Sequence, residues 1–155
     1  MIELKLGDLG KFEGRFAKEL RAAQQRAMHQ VGKAAVRMLA FASKDVKDFG
    51  TYQTGWRYQA AFTRLYIRNV AGHAVFVERG RRAGATMPPL APIRAWALRH
   101  GMPAATAWPI ARAIARRGIP ARPTLFRPDI QRSIKEVWAA AMHGAVSDAA
   151  RRARP

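Results

Sequence analysis

Residues 11–47, KFEGRFAKELRAAQQRAMHQVGKAAVRMLAFASKDVK, form the longest periodic stretch of the chain and decide its fold. Apolar residues recur there every three or four positions, which predicts one long amphipathic helix. They are Phe12, Phe16, Leu20, Ala23, Ala27, Val31, Ala35, Met38, Ala42 and Val46. Two glycines, Gly14 and Gly32, each weaken such a helix by about 1 kcal/mol relative to alanine. Because the apolar stripe is longer than a small core can cover, we expect part of it to contact another subunit.

A second helix is predicted near the other end of the chain, over residues 128–150. Asp129 favours its N-terminus, where the helix dipole stabilises a negative charge. Residues with helical spacing mark its buried face: Ile130, Ile134, Val137, Trp138, Ala141, Met142 and Ala145. The basic tail that follows, residues 151–155, is expected to fray.

Between the two long helices the sequence predicts a β-hairpin around residues 58–79. Residues 58–70 alternate between apolar side chains and a face of aromatics and arginines, which is typical of a strand. Ala71-Gly72 supplies a turn, and residues 74–79 are predicted to return as the second strand. Residues 48–57 are predicted to form a loop, and the glycine- and arginine-rich residues 80–88 a mobile loop.

Two short helices are predicted after the hairpin. Pro92 fits the first turn of one helix and Gly101 follows its end. Thr106 is expected to cap the next helix, and Gly118 to stop it. Residues 119–128 contain three prolines and are predicted to be extended. The order of elements predicts a single α+β domain, residues 1–155, with helices packed on one face of a small antiparallel sheet.

Composition limits the possible functions. The chain has 155 residues, no cysteine and a net charge of +18, and arginine supplies 21 of its 28 basic residues. The lack of cysteine excludes disulfides, thiolate zinc sites and thiol nucleophiles. The start of the chain does not resemble a signal peptide, and no apolar run approaches the roughly 18 residues of a membrane span. We expect a protein that acts inside a cell next to something anionic, either nucleic acid or an acidic protein.

Candidate catalytic groups are few. Glu78 is the only acidic residue between Asp48 and Asp129, whereas two-carboxylate and two-metal chemistry both need further acids. The histidines show no metal-binding spacing, and no serine lies in a nucleophile motif. We therefore expect neither an enzyme nor a cofactor nor a metal site, and interpret Glu78 as a salt-bridged acid beside Arg57, Arg64 or Arg79.

Arginines form three clusters along the chain. They are Arg79, Arg81 and Arg82, then Arg112, Arg116 and Arg117, and finally Arg151, Arg152 and Arg154. Such clusters neutralise phosphates in nucleic-acid complexes. Arginine is also enriched in interfaces between proteins. The sequence leaves both uses open.

Three short motifs follow one another in an order that resembles a known family. The first is Thr-Gly followed by a hydrophobic and a basic residue, here Thr54, Gly55, Trp56 and Arg57. The second is 73-HAVFVERG-80, which contains Glu78 and Gly80. The third is 121-ARPTLFRP-128, which contains Arg122 and Pro123 and precedes the last helix. His73 and Thr124 depart from the usual tyrosine and phenylalanine.

In the order and spacing of these motifs the chain resembles the tail-completion or neck proteins of long-tailed bacteriophages, the group that includes minor tail protein Z of lambda-like phages. The resemblance implies a structural virion protein at the head–tail junction, made in the host cytoplasm. It implies a homo-oligomeric ring, expected to have six subunits, with head-closure or connector proteins and tail-tube or terminator proteins as partners. Phage DNA in the lumen is a further expected partner.

The resemblance also gives the motif residues mechanical roles. Gly55 permits a turn that a side chain would obstruct, and Glu78 is expected to hold Arg57 and so tie two loops together. Gly80 lets the chain leave the predicted sheet. Arg79, Arg81, Arg82, Arg112, Arg116 and Arg117 would face either a neighbouring subunit or DNA. A basic DNA-binding protein of packaging or regulation is the alternative function.

Overall fold

The computed structural model describes residues 6–46, 50–61 and 64–154, with the side chains of residues 6–12 outside the description. The helices are α1 (Leu6–Ala42), α2 (Thr51–Thr54), α3 (Ala74–Arg79), α4 (Leu90–Arg99), α5 (Ala107–Arg117) and α6 (Pro128–Ala153), with a 3₁₀ turn at Ala104–Thr106. The strands are β1 (Trp56–Ala60) and β2 (Leu65–Asn69). The predicted α+β class, with long helices at both ends and a small antiparallel sheet, is confirmed.

The chain divides into two compact units. Unit 1 consists of Met1–Ala71 and Thr124–Pro155, and therefore holds both long helices and the sheet. Unit 2 consists of Gly72–Pro123 and holds α3, α4 and α5.

Alanines form the contact between α1 and α6 in unit 1. Ala23 and Ala27 of α1 are buried together with Ala145 and Ala149 of α6. Because methyl side chains are short, the two helices approach each other closely. Partly buried residues surround this cluster: Phe16, Leu20, Ala141 and Met142. The helical stripe predicted for α1 is confirmed over this region.

Asp148 of α6 adds a polar link to α1. Its carboxylate accepts hydrogen bonds from Arg152 at 3.0 Å and from Arg26 of α1 at 3.2 Å. The Arg152 guanidinium, and then that of Arg26, hold the pKa of Asp148 below its usual value, against an opposing effect of desolvation. Further along, α6 runs to Ala153, which is fully buried. Residues 151–153, which the sequence predicts to fray, therefore continue the helix.

A second core lies where the end of α1 packs against α2 and the sheet. Leu39, Tyr52 and Trp56 are buried there, each 2% exposed or less. The Trp56 indole donates a hydrogen bond to Ser43 Oγ at 3.2 Å, and that hydroxyl donates to the Leu39 carbonyl at 2.6 Å. The Tyr52 ring meets the Trp56 ring edge to face, with centroids 5.5 Å apart. Residues 51–57, predicted to be loop, thus contain a helical turn and the start of β1.

The β-hairpin occupies residues 56–69 and not the predicted 58–79. Trp56 pairs with Asn69, Tyr58 with Ile67 and Ala60 with Leu65. The Ala61 N–H donates to the Arg64 carbonyl at 2.8 Å, and residues 62–63 lie outside the described residues. The segment predicted as one strand therefore folds back on itself. Its alternation is confirmed in β2, where Tyr66 and Arg68 are exposed.

Residues 74–79, predicted to be the returning strand, form the helix α3. The Phe76 and Val77 N–H groups donate to the His73 carbonyl, at 3.0 and 3.2 Å. The Gly80 N–H closes the last turn on the Phe76 carbonyl at 2.9 Å. The strand prediction was wrong because a short apolar run has no periodicity that separates a strand from a helical turn. β2, its expected partner, is already paired with β1.

The short helices of unit 2 end where the sequence predicts. Gly101 and Gly118 follow α4 and α5 with φ values of +72° and +74°, a conformation that favours glycine. Thr106 stands before α5 as predicted, but its hydroxyl donates backwards to the Pro103 carbonyl at 2.7 Å and makes no cap hydrogen bond. Ala97, Ala107 and Ala111 are buried and let the helices pack closely.

The two glycines of α1 are not equivalent, although the sequence assigns them the same cost. A Cβ on Gly14 would meet nothing within 4 Å, whereas a Cβ on Gly32 would overlap the Tyr58 ring, 2.6 Å from Cγ. We expect Gly14→Ala to raise the free energy of unfolding by about 1 kcal/mol. Gly32→Ala is expected to lower it, because β1 must move away from α1. Urea denaturation of the two variants measures both signs, and equal stabilisation by both would contradict this packing.

Candidate functional site

Two segments of unit 2 meet and run antiparallel beside each other, joined by backbone hydrogen bonds. Arg81 and Ile119 exchange N–H···O=C bonds of 2.8 Å in each direction. The Gly84 N–H donates to the Ala115 carbonyl, and the Arg122 N–H to the Val77 carbonyl, both at 2.8 Å. We call this arrangement of residues 77–84 and 115–122 the unit 2 crossing. Residues 80–88 were predicted to be a mobile loop. The first half of this loop is held by backbone hydrogen bonds to residues 115–119.

Glycine makes the close approach possible. Gly80 has φ +69° and ψ −165°, and Gly118 has φ +74° and ψ −168°. A Cβ on Gly80 would lie 2.5 Å from the Ile119 carbonyl oxygen, and one on Gly118 would lie 2.8 Å from the Ala83 nitrogen. Both glycines therefore satisfy a conformational and a steric requirement at once.

The crossing brings together two arginine clusters that are 30 positions apart in the sequence. One strand of the crossing carries Arg79, Arg81 and Arg82, and the other follows directly from Arg112, Arg116 and Arg117 at the end of α5. Five of these six arginines are exposed. The third predicted cluster, residues 151–154, belongs to unit 1.

Arg81 differs from the other five arginines because it serves the fold. It is half-buried, one guanidinium nitrogen donates to the Thr86 carbonyl, and its Cζ lies 5.7 Å from the centroid of the Phe76 ring. Its Nε is buried and has no hydrogen-bond partner among the described residues. We therefore remove Arg81 from the candidates for contact with a partner.

Arg112 is held in place by an aromatic neighbour that the sequence reading missed. Its Cζ lies 5.3 Å from the centroid of the Trp108 ring, and Trp108 is 50% exposed. A guanidinium over an indole face is attracted by the ring electrons. The signal in the sequence is the spacing of four residues between Trp108 and Arg112 on one helix. Together they present a cationic and aromatic surface to solvent.

The charge of unit 2 is strongly one-sided. Residues 72–123 contain nine arginines, no lysine and a single acid, Glu78, which gives a net charge of +8. Glu78 lies half-buried in α3. One carboxylate is too few to neutralise the exposed arginines. Arginine pairs with carboxylates and phosphates through two parallel hydrogen bonds, so this surface is suited to an anionic partner.

The first motif lies in unit 1, at the start of the sheet. The Arg57 guanidinium Nη1 donates to the carbonyls of Thr54 and Trp56, at 2.7 and 2.8 Å. A Cβ on Gly55 would lie 2.7 Å from the Thr51 carbonyl and would overlap the Asn69 side chain. The predicted reason for Gly55 is thus confirmed as a matter of space, since its φ is an ordinary −78°.

The second and third motifs meet in the unit 2 crossing. Gly80 of the second packs against the backbone of residues 119–121, and Arg122 of the third donates its N–H to Val77. The Arg122 and Pro123 side chains are exposed. The prediction that Gly80 lets the chain leave a sheet was wrong, because Gly80 ends a helix. The predicted pairing of Glu78 with Arg57 stays a prediction.

The described ranges contain no group of three or more histidine and acidic side chains that could hold a metal ion. No helix in them is long and apolar enough to cross a membrane. No protein-family model, curated protein or solved structure matches the chain.

Proposed function

We propose that this protein is a structural component of a phage neck that assembles into a ring, expected to be hexameric, and joins the tail to the capsid. The observation that carries the proposal is the meeting of the second and third motifs. They are separated by 40 positions, yet the Arg122 N–H bonds to the Val77 carbonyl and Gly80 contacts residues 119–121. The order of the motifs and their contact in the fold are two separate observations. Together they support membership of the family better than the order alone does.

Ring formation needs two different complementary faces on each subunit, because head-to-tail contacts are heterologous. Unit 1 exposes large apolar side chains on its long helices: Phe41 at 71%, Trp138 at 48% and Val146 at 48%. Unit 2 exposes its arginines. We assign the apolar side chains of α1 and α6 to one face and the five exposed arginines in or next to the unit 2 crossing to the other. Head-closure and tail-tube proteins are the proposed neighbours of the ring.

Light scattering of the purified protein tests this proposal. Six copies of the 17.2 kDa chain give a species of about 103 kDa. We expect this single species at about 0.1 M and at about 1 M NaCl, because salt screens exposed charges but does not weaken the burial of the apolar face against the next subunit. Electron microscopy of the same sample is expected to show rings.

A variant with matched charge tests the arginine face. Arg112→Glu/Arg116→Glu/Arg117→Glu is expected to yield monomers, because it removes the guanidinium groups from the face that the next subunit contacts and puts the opposite charge in their place. Arg15→Glu/Lys18→Glu/Arg21→Glu reverses three exposed charges of α1 that lie 20 or more positions before Phe41, and is expected to keep the ring. Unchanged assembly of the first variant would remove the arginine face, and a monomeric wild-type protein would refute the ring itself.

DNA binding is the second candidate function, and the joined arginine clusters favour it. Five exposed arginines lie in or next to one crossing with one acid in the whole unit. A DNA-binding protein loses affinity steeply as salt rises, because its cations displace ions from the phosphates. A ring former keeps its mass in the same titration, so a discrete oligomer that persists at high salt supports the ring, and salt-sensitive DNA binding without such an oligomer supports the second candidate.

A further inference from the structure

The outward face of the β1–β2 hairpin holds two arginines directly opposite each other. Arg57 pairs with Arg68, and Gln59 pairs with Tyr66 across the strands. All four residues are exposed, Tyr66 by 51%. Like charges opposite each other on two strands destabilise the pair. The hairpin therefore holds two cations in an arrangement that an anion lying over them would stabilise.

Little in the chain offsets this charge. Residues 49–77 contain no aspartate or glutamate. Among the described residues, the Arg64 and Arg68 side chains make no hydrogen bond or ion pair. Arg57 uses Nη1 for the Thr54 and Trp56 carbonyls, which fixes the guanidinium while its other two nitrogens have no described partner.

The inward face of the hairpin is occupied by the core of unit 1, where Trp56 is buried. The outward face borders a shallow groove of about 650 Å³, lined by Arg57, Gln59, Tyr66 and Arg68 among others. The groove thus combines cations, an amide and a phenol, with no carboxylate in its lining.

We infer that this hairpin face binds the sugar–phosphate backbone of duplex DNA. Arginine takes phosphate oxygens in bidentate hydrogen bonds, and glutamine and tyrosine also donate to them. At the centre of the face, Gln59 and Tyr66 offer hydrogen bonds, and Val70 is the single aliphatic residue in the lining of the groove. The inference goes beyond the ring proposal and does not depend on it.

Fluorescence anisotropy with a labelled duplex of about 20 base pairs tests the inference over a range of NaCl concentrations. The variant Arg64→Ala/Arg68→Ala removes two exposed cations that make no described contact. We expect its Kd to rise at least about tenfold near 0.1 M NaCl, and the slope of log K against log salt to fall by about 2, since each arginine accounts for about one phosphate. Circular dichroism verifies that the hairpin variant is folded.

The control Arg37→Ala/Arg132→Ala removes the same charge from α1 and α6 and is expected to leave the slope unchanged. If the hairpin variant binds like this control, the inference is wrong. It is also wrong if poly-L-glutamate or a duplex RNA binds the wild-type protein more tightly than the DNA does. The change in slope is expected to recur in the background Arg112→Ala/Arg116→Ala/Arg117→Ala, so a failure of the unit 2 arginines as a DNA site would not affect this result.

Discussion

Trp56→Ala is expected to lower the free energy of unfolding by about 3–5 kcal/mol, the usual range for a large aromatic side chain in a core. Trp56 is 2% exposed and contacts Tyr52 edge to face. Its removal leaves a cavity between α1, α2 and the sheet, because a fully buried ring has no solvent to replace it. It also leaves the Ser43 hydroxyl without the indole N–H that it accepts. Urea denaturation followed by far-ultraviolet circular dichroism measures the loss.

Two further variants separate the causes of this effect. Trp56→Phe keeps a ring but deletes the indole N–H, so it is expected to cost clearly less than alanine does. Trp138 is 48% exposed on α6, and Trp138→Ala is expected to cost about 1 kcal/mol or less, as exposed positions usually do. Equal losses at Trp56 and Trp138 would show that Trp56 is not the centre of the second core.

The long helices were predictable because their signal is long. Over α1, Ala23, Ala27 and Val31 recur with helical spacing and are buried as expected. The end of α1 shows the limit of this reasoning. Leu39 is fully buried and not the predicted Met38. Whether Met38 or Leu39 is buried depends on where Tyr52 and Trp56 pack against the helix. The sequence of the helix alone does not contain this information.

The hairpin was misplaced because the sequence between its two strands lacks the usual turn residues. Hairpin turns favour sequences such as Asn-Gly, whereas the sequence between β1 and β2 is Ala-Phe-Thr-Arg. The composition of Ala71-Gly72 is more typical of a turn. The turn was therefore predicted after β2, although the chain already reverses between β1 and β2. The crossing of unit 2 was equally hidden, because the bond between Arg81 and Ile119 joins segments almost 40 positions apart. The sequence showed both arginine clusters but not that they meet.

Gly80→Ala is expected to destabilise unit 2 by about 3 kcal/mol or more. The backbone of Gly80, at φ +69° and ψ −165°, lies in a region that costs other residues about 1–3 kcal/mol. The new methyl group would also lie 2.5 Å from the Ile119 carbonyl and 2.7 Å from the Ala121 nitrogen. These atoms cannot move aside without breaking the hydrogen bonds between Arg81 and Ile119. Hydrogen exchange at the amides of Arg81, Ile119 and Arg122 is therefore expected to accelerate.

Gly84 provides the matched control, because it isolates the conformational cost from the steric one. Its φ is +74°, but a Cβ there would meet nothing within 4 Å. Gly84→Ala is therefore expected to cost about 1–2 kcal/mol, the penalty of a left-handed residue alone. The additional loss of stability in Gly80→Ala measures the steric cost of placing a methyl group between the two paired segments. If both variants lose the same stability, the segments are not in contact at Gly80, and the second and third motifs do not build one structural feature.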